Sequence, residues 1–325
     1  MRRTPFIGAA VATAALVLSG CAANDSGGTN GGDASASMNI CYVTAAESHA
    51  YVTPANEAFD EAAKAAGATV NRLSQEFDVQ KGTDQLTTCV SQGADGIVLW
   101  PLDPQAYIPG MIAAQDAGIP LIIINSPMDP EAEEYYDSFT GPDVYEEGEL
   151  SAEALNEVLG GEGKVVIIAG QAGNGTTIGR TDGFTDKLSA LGSKIEVLQT
   201  VNADFDQQKA LEVSRDLLTR FGDDIQGVYA NDDTMALGFI DAWKESGRSI
   251  DAMPPIVGIN GQVQAFDLIR AGQYYATIVQ SPVEDGKLAA ETIIKLIKGG
   301  SVDKRLPIPL TVVTSDNVDS VEPAF

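Results

Sequence analysis

VYANDDTMALGF, residues 228–239, runs from an apolar, strand-like stretch into a helical pattern through Asn231, Asp232 and Asp233. A surface turn needs one helix cap, and Asp is favoured there. Three polar side chains where the most apolar layer ends ask for a further use. The same transition recurs along the chain from residue 39 onward. Its apolar runs are NICYVT (39–44), ATVNRL (68–73), GIVLW (96–100), PLIII (120–124) and KVVIIA (164–169), followed by KIEVLQ (194–199), IQGVYA (225–230), PIVGI (255–259) and ATIVQ (276–280). Most are unbroken rather than alternating, as parallel strands covered on both faces require. Amphipathic stretches lie between them, among them 54–66, 79–92, 144–159, 207–220, 234–246 and 283–298. Strand–helix alternation at this spacing predicts a doubly wound α/β fold.

The alternation has one break. The first series ends near Ile124, and SPMDPEAEEYYDSFTGP (126–142) reads as an acidic, irregular crossing before a second series starts at Val144. Two similar open sheets predict two lobes with an interlobe cleft, and such sheets bind ligands at their strand carboxyl ends. Polar and aromatic residues collect at those ends. Glu47, Ser48, His49 and Tyr51 follow the first run, Trp100 and Asp103 the third, and Asn125 and Ser126 the fourth. QAGNGTT (171–177), Asn202 to Asp206, Asn231 to Asp233, Asn260 and Gln280 end the later ones. Amides, hydroxyls and carboxylates alternate with rings, and cations are nearly absent. Hydroxyl groups want such acceptors and amides, and the C–H faces of a sugar want flat apolar partners such as Tyr51, Trp100 and Phe205. For each residue alone a structural role stays open: Asp232 as a cap, Tyr51 and Trp100 as packing.

The chain carries a formal net charge of −26 over 325 residues, which disfavours nucleic acid and anionic membrane surfaces as partners. Met1-Arg2-Arg3 and the short apolar run Phe6–Leu18 predict a signal peptide over 1–20. It ends in Leu18-Ser19-Gly20-Cys21, which resembles a bacterial lipobox, and that resemblance implies cleavage before Cys21 and a lipid on its thiol. Residues 21–37 are almost free of apolar bulk and read as a flexible tether. The expected location is therefore extracytoplasmic, in the periplasm or at the cell surface. For Cys41 and Cys89 a disulfide and two buried free thiols both stay open.

Enzymatic motifs fit poorly. Gly173-Asn174-Gly175 through Gly179 imitates a dinucleotide fingerprint, but the next strand lacks the acidic ribose ligand. GGEGK (160–164) has the wrong spacing for a phosphate loop, no G-x-S-x-G elbow occurs, and the lone His49 limits triads and metal sites. Asp232 and Asp233 as a general acid–base pair would need a reaction that nothing else in the sequence suggests. No enzyme, cofactor or metal is expected.

ADFDQQKALEV (203–213), VYANDDTMALG (228–238), IVGINGQ (256–262) and YYATIVQSP (274–282) resemble, in order and spacing, segments of the sugar-binding type I periplasmic binding proteins, close to the ribose-binding group. The resemblance covers about residues 38–315. It implies a monomeric solute-binding protein of an ABC importer, two lobes joined by three crossings, and closure by hinge rotation onto a sugar before delivery to a permease. The lobes expected are 38–141 plus 281–309, and 142–280 plus 310–325. Position by position, it implies ligand contacts from His49, Tyr51, Phe205, Asp232, Asn260 and Gln280; Ser48, Trp100, Asn125, Ser126 and Thr177 join them from the strand-end reading. Asn125-Ser126 stands where the ribose group has an Asp-Arg pair, and Ile178 where it has a second Arg. Arg180 lies two positions late and is not given that role. The loss of these forks argues for a small polyol or another pentose or hexose. A ligand-presenting sensor for a membrane receptor remains the alternative use; a cytoplasmic repressor would need a DNA-binding headpiece in place of the secretion signal.

Overall fold

A computed structural model of the chain describes residues 37–325. The signal peptide, Cys21 and all but the last residue of the tether lie outside the described residues. The first half contains β1 (Met38–Thr44), α1 (Val52–Ala65), β2 (Ala68–Ser74), α2 (Val79–Ser91), β3 (Gly96–Leu99), α3 (Ile108–Asp116), β4 (Leu121–Ile124) and β5 (Ser138–Gly141). The second contains α4 (Val144–Val158), β6 (Glu162–Ala169), α5 (Gly175–Ala190), β7 (Lys194–Asn202), α6 (Gln207–Phe221), β8 (Gly227–Ala230) and α7 (Asp233–Glu245). It continues through β9 (Ile256–Asn260), α8 (Val263–Arg270), β10 (Ala276–Val279), α9 (Pro282–Ile297), β11 (Arg305–Pro307) and β12 (Thr311–Val313).

Two six-stranded sheets result, in the orders β11-β5-β4-β3-β1-β2 and β12-β10-β9-β8-β6-β7. The pairings are parallel except for β12 against β10. The two orders repeat the same pattern, except that the late edge strand is parallel in the first sheet (β11) and antiparallel in the second (β12). The chain passes between the sheets three times: before α4, before α9, and between β11 and β12.

The unbroken apolar runs have the physical cause expected of them. In the first sheet Ile40, Tyr42, Val98 and Ile122 pack on Phe59 and Ile293, while Val43, Ile97, Leu99 and Ile123 face Leu86 and Met111 on the other side. Both faces are covered, so alternate residues of one strand are equally apolar. The helices approach closely at glycines. A Cβ on Gly148 would lie 2.3 Å from the Arg180 carbonyl oxygen, one on Gly183 2.1 Å from that of Tyr145, and one on Gly286 2.0 Å from that of Ala55. These contacts lock α4 against α5 and α9 against α1.

The reading of 126–142 as an irregular crossing is overturned. Pro130–Tyr135 forms a short 3-10 helix and Ser138–Gly141 is β5, which extends the first sheet beside β4. β5 was hidden because its one large apolar residue is Phe139; Ser138 is accommodated by donating its hydroxyl to the Asp303 carbonyl (2.8 Å). QAGNGTT is likewise only half loop, since the Asn174 side chain accepts from the N–H groups of Thr176 and Thr177 and starts α5. Cys41 on β1 and Cys89 on α2 are joined as a disulfide.

Candidate ligand-binding site

The strand carboxyl ends of the two sheets face a shared cavity with about 440 Å3 of empty space, part of it open to solvent. One lobe contributes His49 and Tyr51 ahead of α1, Trp100 after β3 and Asn125 after β4. The other contributes Phe205 ahead of α6, Asp232 after β8, Asn260 ending β9 and Gln280 after β10. Gln171 donates to the Phe77 carbonyl (3.2 Å) and Asn174 to that of Leu102 (3.2 Å), so the lobes touch across the cleft.

Three expected residues are not brought in. Ser48 is exposed to solvent. Ser126 is buried beside Gly175, because Asn125 turns the chain with φ 64° and takes the cavity position itself. Thr177 is in the first turn of α5, where Thr176, a turn of about 100° away, lines the cavity instead. The sequence reading also missed Phe77, Leu102, Asn174, Thr176 and Arg180, all of which line it. For Phe77 a signal existed: FDVQK (77–81) repeats as FDQQK (205–209).

The acidic cluster divides differently from expectation. Asp232 caps α7, its Oδ1 accepting from the Met235 N–H (2.8 Å), and its Oδ2 has no partner among the described residues. Neither Asn231 nor Asp233 is the cap. Asn231 Oδ1 accepts from the Gly170 N–H (3.2 Å). Asp233 accepts from the Tyr274 hydroxyl (2.7 Å), the Thr277 hydroxyl (2.9 Å) and the Gln262 N–H (2.9 Å), tying three strand ends together. With Asp233 consumed in this way, the pair is not arranged as a catalytic acid and base. Burial raises the pKa of Asp232, opposed by the nearby His49 and the Met235 N–H, and pushes that of Asp233 up to about 7 against its hydrogen bonds.

The other polar groups are held from behind. Gln280 donates Nε2 to Asn260 Oδ1 (2.7 Å), and its Oε1 has no partner among the described residues. Asn125 Nδ2 and the Tyr51 hydroxyl both donate to Asp285 Oδ2, at 2.8 and 3.2 Å. Burial pushes Asp285 up to about 7, against those two donors. Arg180 is held at two of its three nitrogens: Nε donates to Glu147 Oε2 (2.7 Å) and Nη1 to the Asn231 carbonyl (2.7 Å). Burial lowers its pKa, but the Glu147 charge and hydrogen bond outweigh this and hold it charged.

Phe77 and Phe205 sit in the left-handed backbone region, at φ 57° each. The Phe205 ring lies over Gly170, where a Cβ would come within 2.1 Å of its Cζ. With Trp100 and Tyr51 these rings give the cavity flat apolar walls around a few fixed polar atoms.

The comparisons with known proteins agree with this geometry. The chain is 29% identical over 322 residues to the xylitol-binding protein of Mycolicibacterium smegmatis, covering 98% of this chain and 88% of that one. It is 30% identical over 256 residues to the ribose import binding protein of Bacillus subtilis, covering 78% and 80%. An ABC transporter solute-binding protein of Mycobacterium smegmatis, solved with bound glycerol, superposes with a TM-score of 0.81 at 28% identity, covering 89% of this chain and 99% of that chain. The family model described as the periplasmic binding protein domain matches residues 40–301, and the chain belongs to that family.

Proposed function

We propose that the protein is an extracytoplasmic solute-binding protein, lipid-anchored through Cys21, that captures a small neutral sugar or polyol and delivers it to the permease of an ABC importer. The observation that carries this reading is the pair of buried acceptors, Asp232 Oδ2 and Gln280 Oε1, at an aromatic-walled cavity between two lobes. A buried oxygen without a partner costs about 1–3 kcal/mol, and a ligand hydroxyl removes that cost by donating to it. The C–H faces of the ligand would lie against Phe77, Phe205 and Trp100. Ligand first meets one lobe, and rotation about the three crossings brings the second lobe's groups to the remaining hydroxyls. Closure excludes water and strengthens each hydrogen bond, and the closed form is the one a permease would select.

The reading is also supported by the relatives, which include binding proteins named for xylitol and ribose. The test is a thermal-shift screen against pentoses, hexoses and four- to six-carbon polyols, with charged sugars as controls. A shift confined to neutral polyhydroxylated compounds is expected; a shift with charged solutes alone contradicts the proposal.

A further inference from the structure

Asp285 does not line the cavity, yet it touches two residues that do, Asn125 and Tyr51. It is fully buried on α9, the helix entered directly after one interlobe crossing. The other crossing helix carries the same device. EEGELSAE (146–153) on α4 aligns with EDGKLAAE (284–291) on α9, placing Glu147 and Asp285 each at the fourth helical residue. Glu147 holds the cavity residue Arg180, and Asp285 holds the cavity residue Asn125.

The consequence for Asn125 is chemical. An amide is a donor at one end and an acceptor at the other. Asp285 Oδ2 accepts from Nδ2 (2.8 Å), so the amide nitrogen is turned back to Asp285 and Oδ1 remains to face elsewhere. Asn125 therefore offers an acceptor, as Asp232 Oδ2 and Gln280 Oε1 do from the opposite lobe. The lining residues that can donate are Asn260, His49, Trp100, Thr176 and Arg180.

We propose that Asp285 is a specificity-determining positioning residue: by turning Asn125, it adds a third fixed acceptor to those of Asp232 and Gln280 and so selects alditols and cyclitols over cyclic aldoses of the same carbon number. This rests on the sugar-or-polyol reading above. In an alditol or cyclitol every oxygen carries a hydrogen. A ring-closed aldose has one oxygen that cannot donate, and wherever it meets Asn125 Oδ1, Asp232 Oδ2 or Gln280 Oε1 it leaves a buried acceptor unpaired. Sites built to pair a ligand hydroxyl discriminate strongly against the partner lacking it, so a preference of at least about tenfold is expected.

The experiment is calorimetric titration of the wild-type protein with matched pairs: xylitol and xylose, ribitol and ribose, sorbitol and glucose, with myo-inositol alongside. The alditol should bind at least about tenfold tighter than its aldose in any pair that binds. Asn125→Ala, which leaves the buried carboxylate in place, should collapse that ratio toward unity, and so should Asp285→Leu. Asp285→Asn, whose Oδ1 can still accept from both partners, should restore it. Equal or tighter binding of the aldose by the wild type overturns the inference and leaves the sugar-or-polyol reading standing. So does a ratio that survives Asn125→Ala. Binding of no member of the panel overturns both.

Discussion

Phe77 and Phe205 occupy the same place in the two lobes. Each follows a residue in the left-handed region (Glu76 φ 54°, Asp204 φ 53°) and is itself left-handed. Each precedes the aspartate that caps the next helix: Asp78 accepts from the Lys81 N–H (3.0 Å) and Asp206 from that of Lys209 (2.7 Å). The repeat places one ring on each side of the cavity. Two consecutive non-glycine residues at positive φ are costly, and the cap that follows helps hold them.

Phe77→Ala and Phe205→Ala should each weaken binding of the screened ligand by about 1.5–3 kcal/mol, the scale for losing one buried aromatic face. Gly170→Ala should mimic Phe205→Ala in part, because the added methyl occupies the ring's seat. Calorimetry on the three variants checks this. Unchanged affinity in both phenylalanine variants would remove the rings from the site.

Asp232 has two jobs that substitution can separate. Asparagine caps as well as aspartate, so Asp232→Asn should keep unfolding stability while weakening binding. Asp232→Ala should lose binding and about 1 kcal/mol of stability from the start of α7. Urea midpoints and binding isotherms measured together would distinguish them.

Burial lifts the folded-state pKa of Asp233 and Asp285 from 3.8 to about 7. Between those values the folded chain keeps protons that the unfolded chain has released. Their contribution to stability is therefore complete below about pH 4, lost as pH rises through about 7, and flat beyond, with a slope of up to about 1.4 kcal/mol per unit for each group. Urea unfolding across that range should show stability falling with pH, and Asp285→Asn should flatten the slope. A wild-type profile that rises with pH contradicts the assignment.

Arg180 and Glu147 are 3% and 0% exposed, so removing one charge strands the other. Arg180→Met should destabilise the chain by about 3–5 kcal/mol. Adding Glu147→Gln should recover much of that loss, which a double-mutant cycle by chemical denaturation would read.

The parallel strands were legible because burial on both faces writes an apolar run into the sequence. β5 was not, since Ser138 and Thr140 break the run, and β11 and β12 are too short to leave one. The polar tips predicted a site, and His49, Tyr51, Trp100, Asn125, Phe205, Asp232, Asn260 and Gln280 do line one cavity. Ser48, Ser126 and Thr177 are each next to a lining residue, because linear order does not fix which neighbour a turn points inward. Spacing in the sequence gives Arg180 no place in the site. Its orientation depends on Glu147, which reaches it only because Gly148 and Gly183 let α4 and α5 touch.

The most direct test is calorimetric titration of the chain with the compound that shifts its melting most, repeated on Asp232→Ala combined with Phe205→Ala, with the compound examined afterwards by NMR. One site per chain, loss of binding in the double variant and recovery of the compound unchanged are predicted. Full affinity in that variant, or chemical conversion of the compound, would contradict capture in the cavity between the lobes.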